Sequence, residues 1–366
     1  MAVNYNNVIE NDFELDLYKS KYDEVINYLK VFGTTDFWSL IQNVGGSERR
    51  MMRLLNEMNK EGVIVINNNS FSLPNEGKKY NFDLNKVKEE MKIITESKPV
   101  PTFFFDQRPI TLNTVIKRVN HLLDNNDVYK KNIVFLGDDD LTSLCLALTR
   151  VDCDITVLDI DERLINFINE MSNKYDLNVK AYVFNVLDKL DNKFLHKFDV
   201  LFTDPTPEVI PFTIFMNTSI NLVKKNNGII YTSIYSSAMN KTRDLQDVIS
   251  NMHLYISEVI PKFTDYQAIY ELYNERDIEF INKYHIPFNE DSICFNETQF
   301  RLEVCSDTHP KKITYKYSDI YGKATKRVLK DKKNDLSSDM YLEKIYTEMS
   351  KTSDKIYVSG DDEEWS

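Results

Sequence analysis

Glycine is scarce in this chain, with only nine in 366 residues. So few glycines argue against a glycine-rich loop that binds phosphate groups. The four cysteines form no close pair, so neither a zinc site nor a disulfide framework is expected and the thiols should be reduced. No apolar run approaches the roughly 18 residues of a membrane span, and no basic segment followed by an apolar one marks a signal peptide. From these absences we expect a soluble, cytoplasmic protein.

Basic residues are also fewer than acidic ones. The chain has 45 Lys and Arg against 57 Asp and Glu, a net charge of −12. This balance argues against coating nucleic acid or an anionic membrane, and it favours a cationic ligand. Hydrophobic residues make up 42% of the chain, enough for a sizeable core, which excludes general disorder. The length predicts two or three domains.

Residues 1–82 have the pattern of a winged-helix domain. Helical apolar spacing runs from Tyr22 to Phe32, Thr34 or Thr35 can start a second helix, and Ser47 opens a third. Residues 63–73 are typical of a hairpin that turns at its asparagines. The third helix has a predicted buried stripe: Met51, Leu54, Leu55 and Met58.

Three arginines on that third helix can face phosphates, as in DNA-binding modules of this shape: Arg49, Arg50 and Arg53. They can equally be a solvated helix face. Residues 1–98 carry 13 basic and 15 acidic side chains, a net charge of −2. A docking or dimerisation module is therefore expected in preference to a DNA-binding one.

The rest of the chain divides into three parts. Residues 83–101 read as a connecting helix and a proline-containing linker, and residues 102–310 alternate short apolar runs with helical stretches. Such alternation predicts an α/β, Rossmann-like fold: a doubly wound parallel sheet that binds ligands at the carboxyl ends of its strands. Residues 311–366 form a C-terminal extension, whose acidic end is expected to be mobile.

Polar residues follow the predicted strands. Asp159 ends the second strand, 22 residues after Gly137, where an acid commonly holds the ribose hydroxyls of an adenosyl or dinucleotide cofactor. Asn185 follows the third strand and is placed to accept a hydrogen bond from an adenine amino group. Asp and Asn after strands are also common turn formers and helix caps, so this second interpretation stays open.

The loop after the first strand carries three adjacent carboxylates, Asp138–Asp140, behind the single Gly137. Such a run repels phosphate, attracts an ammonium group and raises the pKa of its members. The carboxylates can also stabilise the next helix by lying near its positive N-terminus. Residues 135–205 hold 7 basic and 14 acidic side chains, so more than half of the excess charge surrounds the predicted pocket.

Four segments together resemble the branched-chain polyamine synthase family: PVPTFFFDQRPIT, VFLGDDDLTSLCLALT, ITVLDIDERLINFI and HKFDVLFTDP. The last of them runs into Asp204-Pro205-Thr206-Pro207, which is similar to the (Asp/Asn)-Pro-Pro motif of amino methyltransferases. The likeness extends from about residue 22 to about residue 305. It implies a methyltransferase/aminopropyltransferase sheet behind a winged helix, and an enzyme of polyamine biosynthesis that is a homodimer.

The resemblance also implies the chemistry: transfer of an aminopropyl group from decarboxylated S-adenosylmethionine to the secondary amine of spermidine. Asp139 would be the general base, and no metal is required because the sulfonium is already a good leaving group. The polyamine would be held by Asp138, Asp140, Asp204 and Pro205. The donor would be held by Gly137, Asp159, Ile160, Asn185, Asp106 and Gln107.

Two departures from the family pattern bear on this assignment. Thr206 stands where the family has the second proline, and Asn185 stands where it has an acid.

Two other functions remain open. One is an S-adenosylmethionine-dependent N-methyltransferase acting on nucleic acid, which the net charge opposes. The other is a non-catalytic regulator that senses polyamines, which the joint presence of Asp139, Asp159 and Asp204 opposes.

Overall fold

The architecture was analysed on a computed structural model of the chain. The structure describes residues 12–74, 83–101, 105, 107–235, 239–268, 275–287, 292–316, 319–320 and 356–360. Within these ranges no helix is both long enough and apolar enough to cross a membrane.

The N-terminal unit contains three helices and a small sheet. In chain order the elements are α1 (Asp12–Phe32), β1 (Thr35–Asp36), α2 (Phe37–Val44), α3 (Glu48–Lys60), β2 (Val65–Asn67) and β3 (Ser70–Ser72). The strands lie in the order β1-β3-β2. The predicted stripe of α3 is confirmed, since all four of its members are buried. The predicted start of the second helix is wrong: Thr35 pairs with Phe71 in the sheet, and Asp36 caps α2 by accepting from two backbone N–H groups.

The remaining elements form an α/β unit with a mixed sheet. In chain order they are α4 (Leu84–Thr95), α5 (Leu112–Asp124), β4 (Asn132–Leu136), α6 (Thr142–Leu148), β5 (Asp154–Asp159), α7 (Glu162–Lys174), β6 (Val179–Val183), β7 (Val200–Thr203), α8 (Val209–Leu222), β8 (Ile229–Tyr235), α9 (Met239–Asn251), β9 (Leu254–Gln267), α10 (Glu275–Lys283) and β10 (Ile293–Val304). The described strands lie in the order β6-β5-β4-β7-β8-β10-β9.

A fully parallel sheet was expected, and this is correct for five strands only. β10 runs antiparallel to β8, and β9 runs antiparallel to β10 at the edge. An edge strand is exposed along much of its length, so β9 mixes buried and exposed positions and lacks the continuous apolar run of a buried parallel strand. The inner parallel strands β4, β7 and β8 have such runs and were predictable from them.

Helices cover both faces of the sheet, as a doubly wound fold requires. Successive residues of β4 pack on opposite faces of the sheet. Ile133 and Phe135 belong to the apolar cluster formed with α4, α5, α6 and α7. Val134 and Leu136 belong to the cluster formed with α8 and α9. Strand residues therefore point alternately into the two apolar layers, and the carboxyl ends of the parallel strands stay open for a ligand.

The C-terminal extension returns to the sheet unit. Strand β11 (Ile313–Lys316) pairs antiparallel with β12 (Ile356–Ser359). The buried Asn217 of α8 binds this hairpin: its amide donates to the Lys311 carbonyl at 2.9 Å and to Ser359 Oγ at 3.0 Å, and its Oδ1 accepts from Lys311 N at 2.8 Å. The acidic end, 361–366, whose mobility was expected, lies outside the described residues.

A buried ion pair ties the end of α5 to the sheet. Asp127 accepts from Arg301 Nε at 2.9 Å and from the Tyr231 hydroxyl at 2.5 Å. Tyr231 belongs to β8 and Arg301 to β10, so one carboxylate joins a helix end to two strands. Glu303 also contacts the Arg301 guanidinium.

Substitution of this carboxylate should destabilise the fold. Asp127→Asn leaves the Arg301 charge with Glu303 alone, and breaking a buried pair costs roughly 3–5 kcal/mol. We expect a loss of about 3 kcal/mol in the free energy of unfolding, measured by urea denaturation. The control is Asp124→Asn, at an exposed position of α5, which should change stability by less than about 0.5 kcal/mol. Equal stability of the two variants would contradict the role of Asp127.

Candidate functional site

A cavity of about 420 Å³ opens at the carboxyl ends of the parallel strands. This is the edge at which open α/β sheets bind their ligands. The loop after β4 supplies Gly137 and three aspartates, the loop after β5 supplies Asp159 and Ile160, and the loop after β7 supplies Asp204 and Pro205. Most of the predicted site residues therefore meet in one cavity.

The acidic loop has three carboxylates in three different environments, beginning with Asp138. Gly137 turns the chain out of β4 with a φ of 80°, which favours glycine. Asp138 then folds back onto α6: it accepts from Ser143 N at 3.2 Å and contacts Ser143 Oγ. Its burial raises its pKa to about 8. Asp138 is thus engaged as a cap of the helix that follows.

Asp140 is also engaged within the protein. It accepts from Ile110 N at 3.0 Å and from Arg118 Nη1 at 3.1 Å. Burial raises the pKa of Asp140, and the Arg118 charge opposes the rise. The expectation that all three aspartates are available to an ammonium ligand therefore needs correction, because Asp138 and Asp140 bind protein groups.

Asp139 is the member that remains available. Its Oδ2 is buried yet has no hydrogen-bond partner among the described residues. Burial raises its pKa well above the usual range, and the neighbouring Asp140 charge adds to the rise. A buried carboxylate oxygen without a donor is costly unless a ligand supplies one. Of the three aspartates, Asp139 has the geometry to take a proton or bind a cation.

Arg118 holds the acidic loop against the next strand end. Only 2% of its surface is exposed, and its Nη2 donates to Asp204 Oδ2 at 2.5 Å while Nη1 binds Asp140. Nη2 also donates to Thr264 of β9 at 3.2 Å. One buried cation therefore compensates two carboxylates.

Asp204 is shared between this pair and a second polar cluster. Its Oδ2 accepts from the Tyr266 hydroxyl at 2.8 Å, and Tyr266 also lies 3.2 Å from Glu297 Oε2. Burial, followed by the charge of Asp204, raises the pKa of Glu297 well above its usual range. Oδ1 of Asp204 is buried with no partner in the described part of the chain. It is the second carboxylate oxygen of the cavity wall that is open to a donor.

The donor-side residues lie after β5. Asp159 accepts from Asp138 N at 3.1 Å and from Asp161 N at 2.8 Å, and burial raises its pKa to about 6. Gln107 donates to Asp161 Oδ2 at 3.1 Å and lines the cavity. The bonds from Asp138 N and Asp161 N hold the Asp159 carboxylate at the cavity wall.

Two predicted residues are not placed at the cavity. Asp106 lies outside the described residues. Asn185 uses its Oδ1 to accept from Leu187 N at 3.0 Å, and the described cavity wall takes Phe184 and Val186 from this loop. The structure therefore places Asn185 in the turn-forming role, and its expected contact with adenine is left without geometric support.

Sequence reasoning missed three residues of the site: Arg118, Tyr266 and Glu297. Arg118 did carry a signal, because it lies on the apolar face of α5 between Val115 and Leu122, where a charge needs a buried partner. Tyr266 and Glu297 carried none, since they belong to β9 and β10, the two strands that the pattern did not reveal.

Comparison with known proteins gives a consistent result. Residues 86–325 match the family described as Branched-chain polyamine synthase A C-terminal domain. The N(4)-bis(aminopropyl)spermidine synthase of Methanocaldococcus jannaschii is 26% identical over 279 residues, 69% of this chain and 79% of that protein. The protein of the same name from Thermococcus kodakarensis is 35% identical over 182 residues, 49% of this chain and about half (52%) of that one.

The fold has a solved counterpart. The branched-chain polyamine synthase from Thermus thermophilus, crystallised with N4-aminopropylspermidine and 5'-methylthioadenosine, superposes with a TM-score of 0.55. The two chains are 19% identical, and the superposition covers 79% of this chain and 88% of that one. The superposition shows that the two proteins share a fold.

The raised pKa of Asp138 makes a prediction about stability and pH. Its value moves from 3.8 to about 8 on folding, so between these values the folded state binds the extra proton and stability falls as pH rises. Asp138→Asn keeps an acceptor for Ser143 N but does not titrate. The melting temperature of the variant relative to the wild type should therefore rise from pH 5 to pH 8. Asp152→Asn, at an exposed position, is the control, and a pH-independent difference for Asp138→Asn would refute the argument.

Proposed function

Because the chain belongs to the branched-chain polyamine synthase family, we propose that it transfers the aminopropyl group of decarboxylated S-adenosylmethionine to the secondary amine of spermidine. The products are a branched polyamine, N4-aminopropylspermidine or N4-bis(aminopropyl)spermidine, and methylthioadenosine. The observation that carries this proposal is the buried Oδ2 of Asp139, which has no hydrogen-bond partner among the described residues. It lies in a cavity that also contains Asp159 and Asp204.

The donor site is proposed on the loops after β4 and β5. Asp159 would accept the ribose hydroxyls, Ile160 would contact the adenine, and Gly137 would let the donor approach the backbone closely. Gln107, and Asp106 beside it, would complete this side. The decarboxylated donor has an ammonium group and no carboxylate, so an acidic loop suits it better than a glycine-rich anion cradle.

The acceptor site is proposed on the loops after β4 and β7. Asp139 Oδ2 and Asp204 Oδ1 are the carboxylate oxygens left open to N–H donors, and Pro205 lies beside them on the wall. Asp138 and Asp140 line the same cavity, and they would support the acceptor site indirectly, since their oxygens bind Ser143, Ile110 and Arg118.

The transfer step needs a neutral amine. Aliphatic amines have pKa values of about 10, so the secondary amine arrives as ammonium and its proton passes to Asp139. The raised pKa of Asp139 brings its proton affinity closer to that of the amine, which favours this transfer. The freed nitrogen attacks the aminopropyl carbon, the carbon–sulfur bond breaks, and its electron pair stays on sulfur. No metal is required, because a sulfonium is already a good leaving group.

The N-terminal unit is proposed to be a winged-helix docking domain of a cytoplasmic homodimer. Its element order and its β1-β3-β2 sheet support the winged-helix assignment. Trp38 on α2 is 64% exposed and Met52 on α3 is 50% exposed, which supports docking. The net charge of −12 opposes nucleic acid as the partner.

The reaction is tested by incubating the protein and spermidine with each donor in turn and measuring product masses. With decarboxylated S-adenosylmethionine we expect spermidine to gain one or two aminopropyl groups and methylthioadenosine to be released. Ordinary S-adenosylmethionine should give little product, because its carboxylate meets the acidic loop. Equal or faster turnover of ordinary S-adenosylmethionine would favour a methyltransferase, and binding of spermidine without turnover of either donor would favour a sensor.

The role of Asp139 is tested by Asp139→Asn, which keeps the size of the side chain but removes the base. General bases contribute roughly 10²–10⁴-fold, so turnover should fall by that range at pH 7. Raising the pH to 10 should partly restore turnover, because more of the acceptor is then neutral in solution. The melting temperature serves as the control for folding. Near-normal turnover at pH 7 would instead move the proton transfer to Asp204 or Asp140.

A further inference from the structure

Arg108 places a second positive charge, beside that of Arg118, on the wall of a cavity rich in carboxylates. Its position is determined by its neighbours in the chain. Gln107 binds Asp161, and on the other side the Pro109 carbonyl accepts from Gln267 N at 3.0 Å while Thr111 N donates to the Asp265 carbonyl at 3.0 Å. The segment 107–111 is thus anchored at both ends, and the Arg108 side chain projects from a fixed backbone.

The Arg108 guanidinium lies against the start of β10. Its centre is 5.3 Å from the centroid of the Phe295 ring, and Nη1 lies 4.0 Å from Cys294 Sγ. Phe295 in turn stacks on Tyr266, with ring centroids 4.4 Å apart, and Tyr266 binds Asp204. Arg108 is therefore on the same wall as the proposed acceptor site.

The donor residues are on the other side of the cavity. Asp159 and Ile160 follow β5, and in the strand order β5-β4-β7-β8-β10 the strand that carries Phe295 is four places away. At about 4.8 Å for each strand spacing, this separates the two strands by roughly 19 Å. Although the neighbouring Gln107 lies on the donor side, the Arg108 guanidinium lies against Phe295, so its charge is directed to the acceptor wall.

Arg108 differs from the other arginines near the cavity. Arg118 forms ion pairs with Asp140 and Asp204, and Arg163 forms one with Asp161. Within the part of the chain that the structure describes, no ion pair involves Arg108. Among these described residues its positive charge has no carboxylate partner, and it lines the cavity.

On the basis of the proposed function, we propose that Arg108 limits the length of the polyamine acceptor. The protonated amines of a polyamine are attracted to the carboxylates of Asp139 and Asp204 and repelled by the Arg108 guanidinium. Two like charges a few ångströms apart at a protein surface repel strongly enough to change binding at least tenfold. A linear tetraamine with one more aminopropyl arm than spermidine brings an additional ammonium group against Arg108.

The test compares Arg108→Gln and Arg108→Lys with the wild type. For each protein kcat/KM is measured with spermidine and with spermine, the linear tetraamine, at saturating decarboxylated S-adenosylmethionine. In the Gln variant the ratio of kcat/KM for spermine to that for spermidine should rise about tenfold or more. The Lys variant keeps the charge and should keep the wild-type ratio. Arg108 is partly buried, and equal melting temperatures will show that the variants fold.

Three results would overturn the proposal. An unchanged ratio in the Gln variant would show that the charge of Arg108 does not select acceptors. The same altered ratio in both variants would assign the selection to stacking on Phe295. A change confined to the KM of the donor, measured separately at saturating spermidine, would place Arg108 on the donor side. If the wild type turned over no polyamine, the proposed function would fail instead, and calorimetric dissociation constants for spermidine and spermine would still test the length limit.

Discussion

The arrangement of the site depends on the buried Arg118. Its guanidinium joins Asp140 of the acidic loop, Asp204 at the end of β7 and Thr264 of β9. These groups come from three separate elements, and α5 supplies the arginine that connects them. A buried arginine with two carboxylates is stable only when each charge has its partners. The relative positions of the loop and the strands are therefore set by one set of hydrogen bonds.

This interaction also determines which carboxylates remain for a ligand. Arg118 engages Asp140 and one oxygen of Asp204, and Ser143 engages Asp138. Asp139 and the second oxygen of Asp204 are left unpaired among the described residues. Unpaired buried oxygens are costly in the free protein, and a cationic ligand that donates N–H groups relieves that cost. The site is thus prepared for a cation by the way its own charges are neutralised.

The sequence predicted the parallel part of the fold because buried parallel strands are continuous apolar runs, such as Ile133–Leu136. It did not predict β9, whose pattern is interrupted by exposed residues such as Tyr255 and Val259, or β10, which begins with the exposed Ile293. The position of Asp159 followed from its spacing after Gly137. The three adjacent aspartates could not be told apart, because their chemistry is identical and only the distances to Ser143, Ile110 and Arg118 distinguish them.

The segment 107–111 contacts both halves of the cavity. Gln107 binds Asp161 beside the donor loop, Ile110 N binds Asp140, and Thr111 is hydrogen-bonded to β9. A shift of this segment at one end is transmitted to the other, because five residues have little slack between fixed points. Binding of either substrate that moves the segment therefore changes the affinity for the other. Thermodynamic linkage requires the donor to change the affinity for the acceptor by the same factor as the acceptor changes the affinity for the donor. The free energy of coupling through the segment is therefore the same whichever substrate binds first.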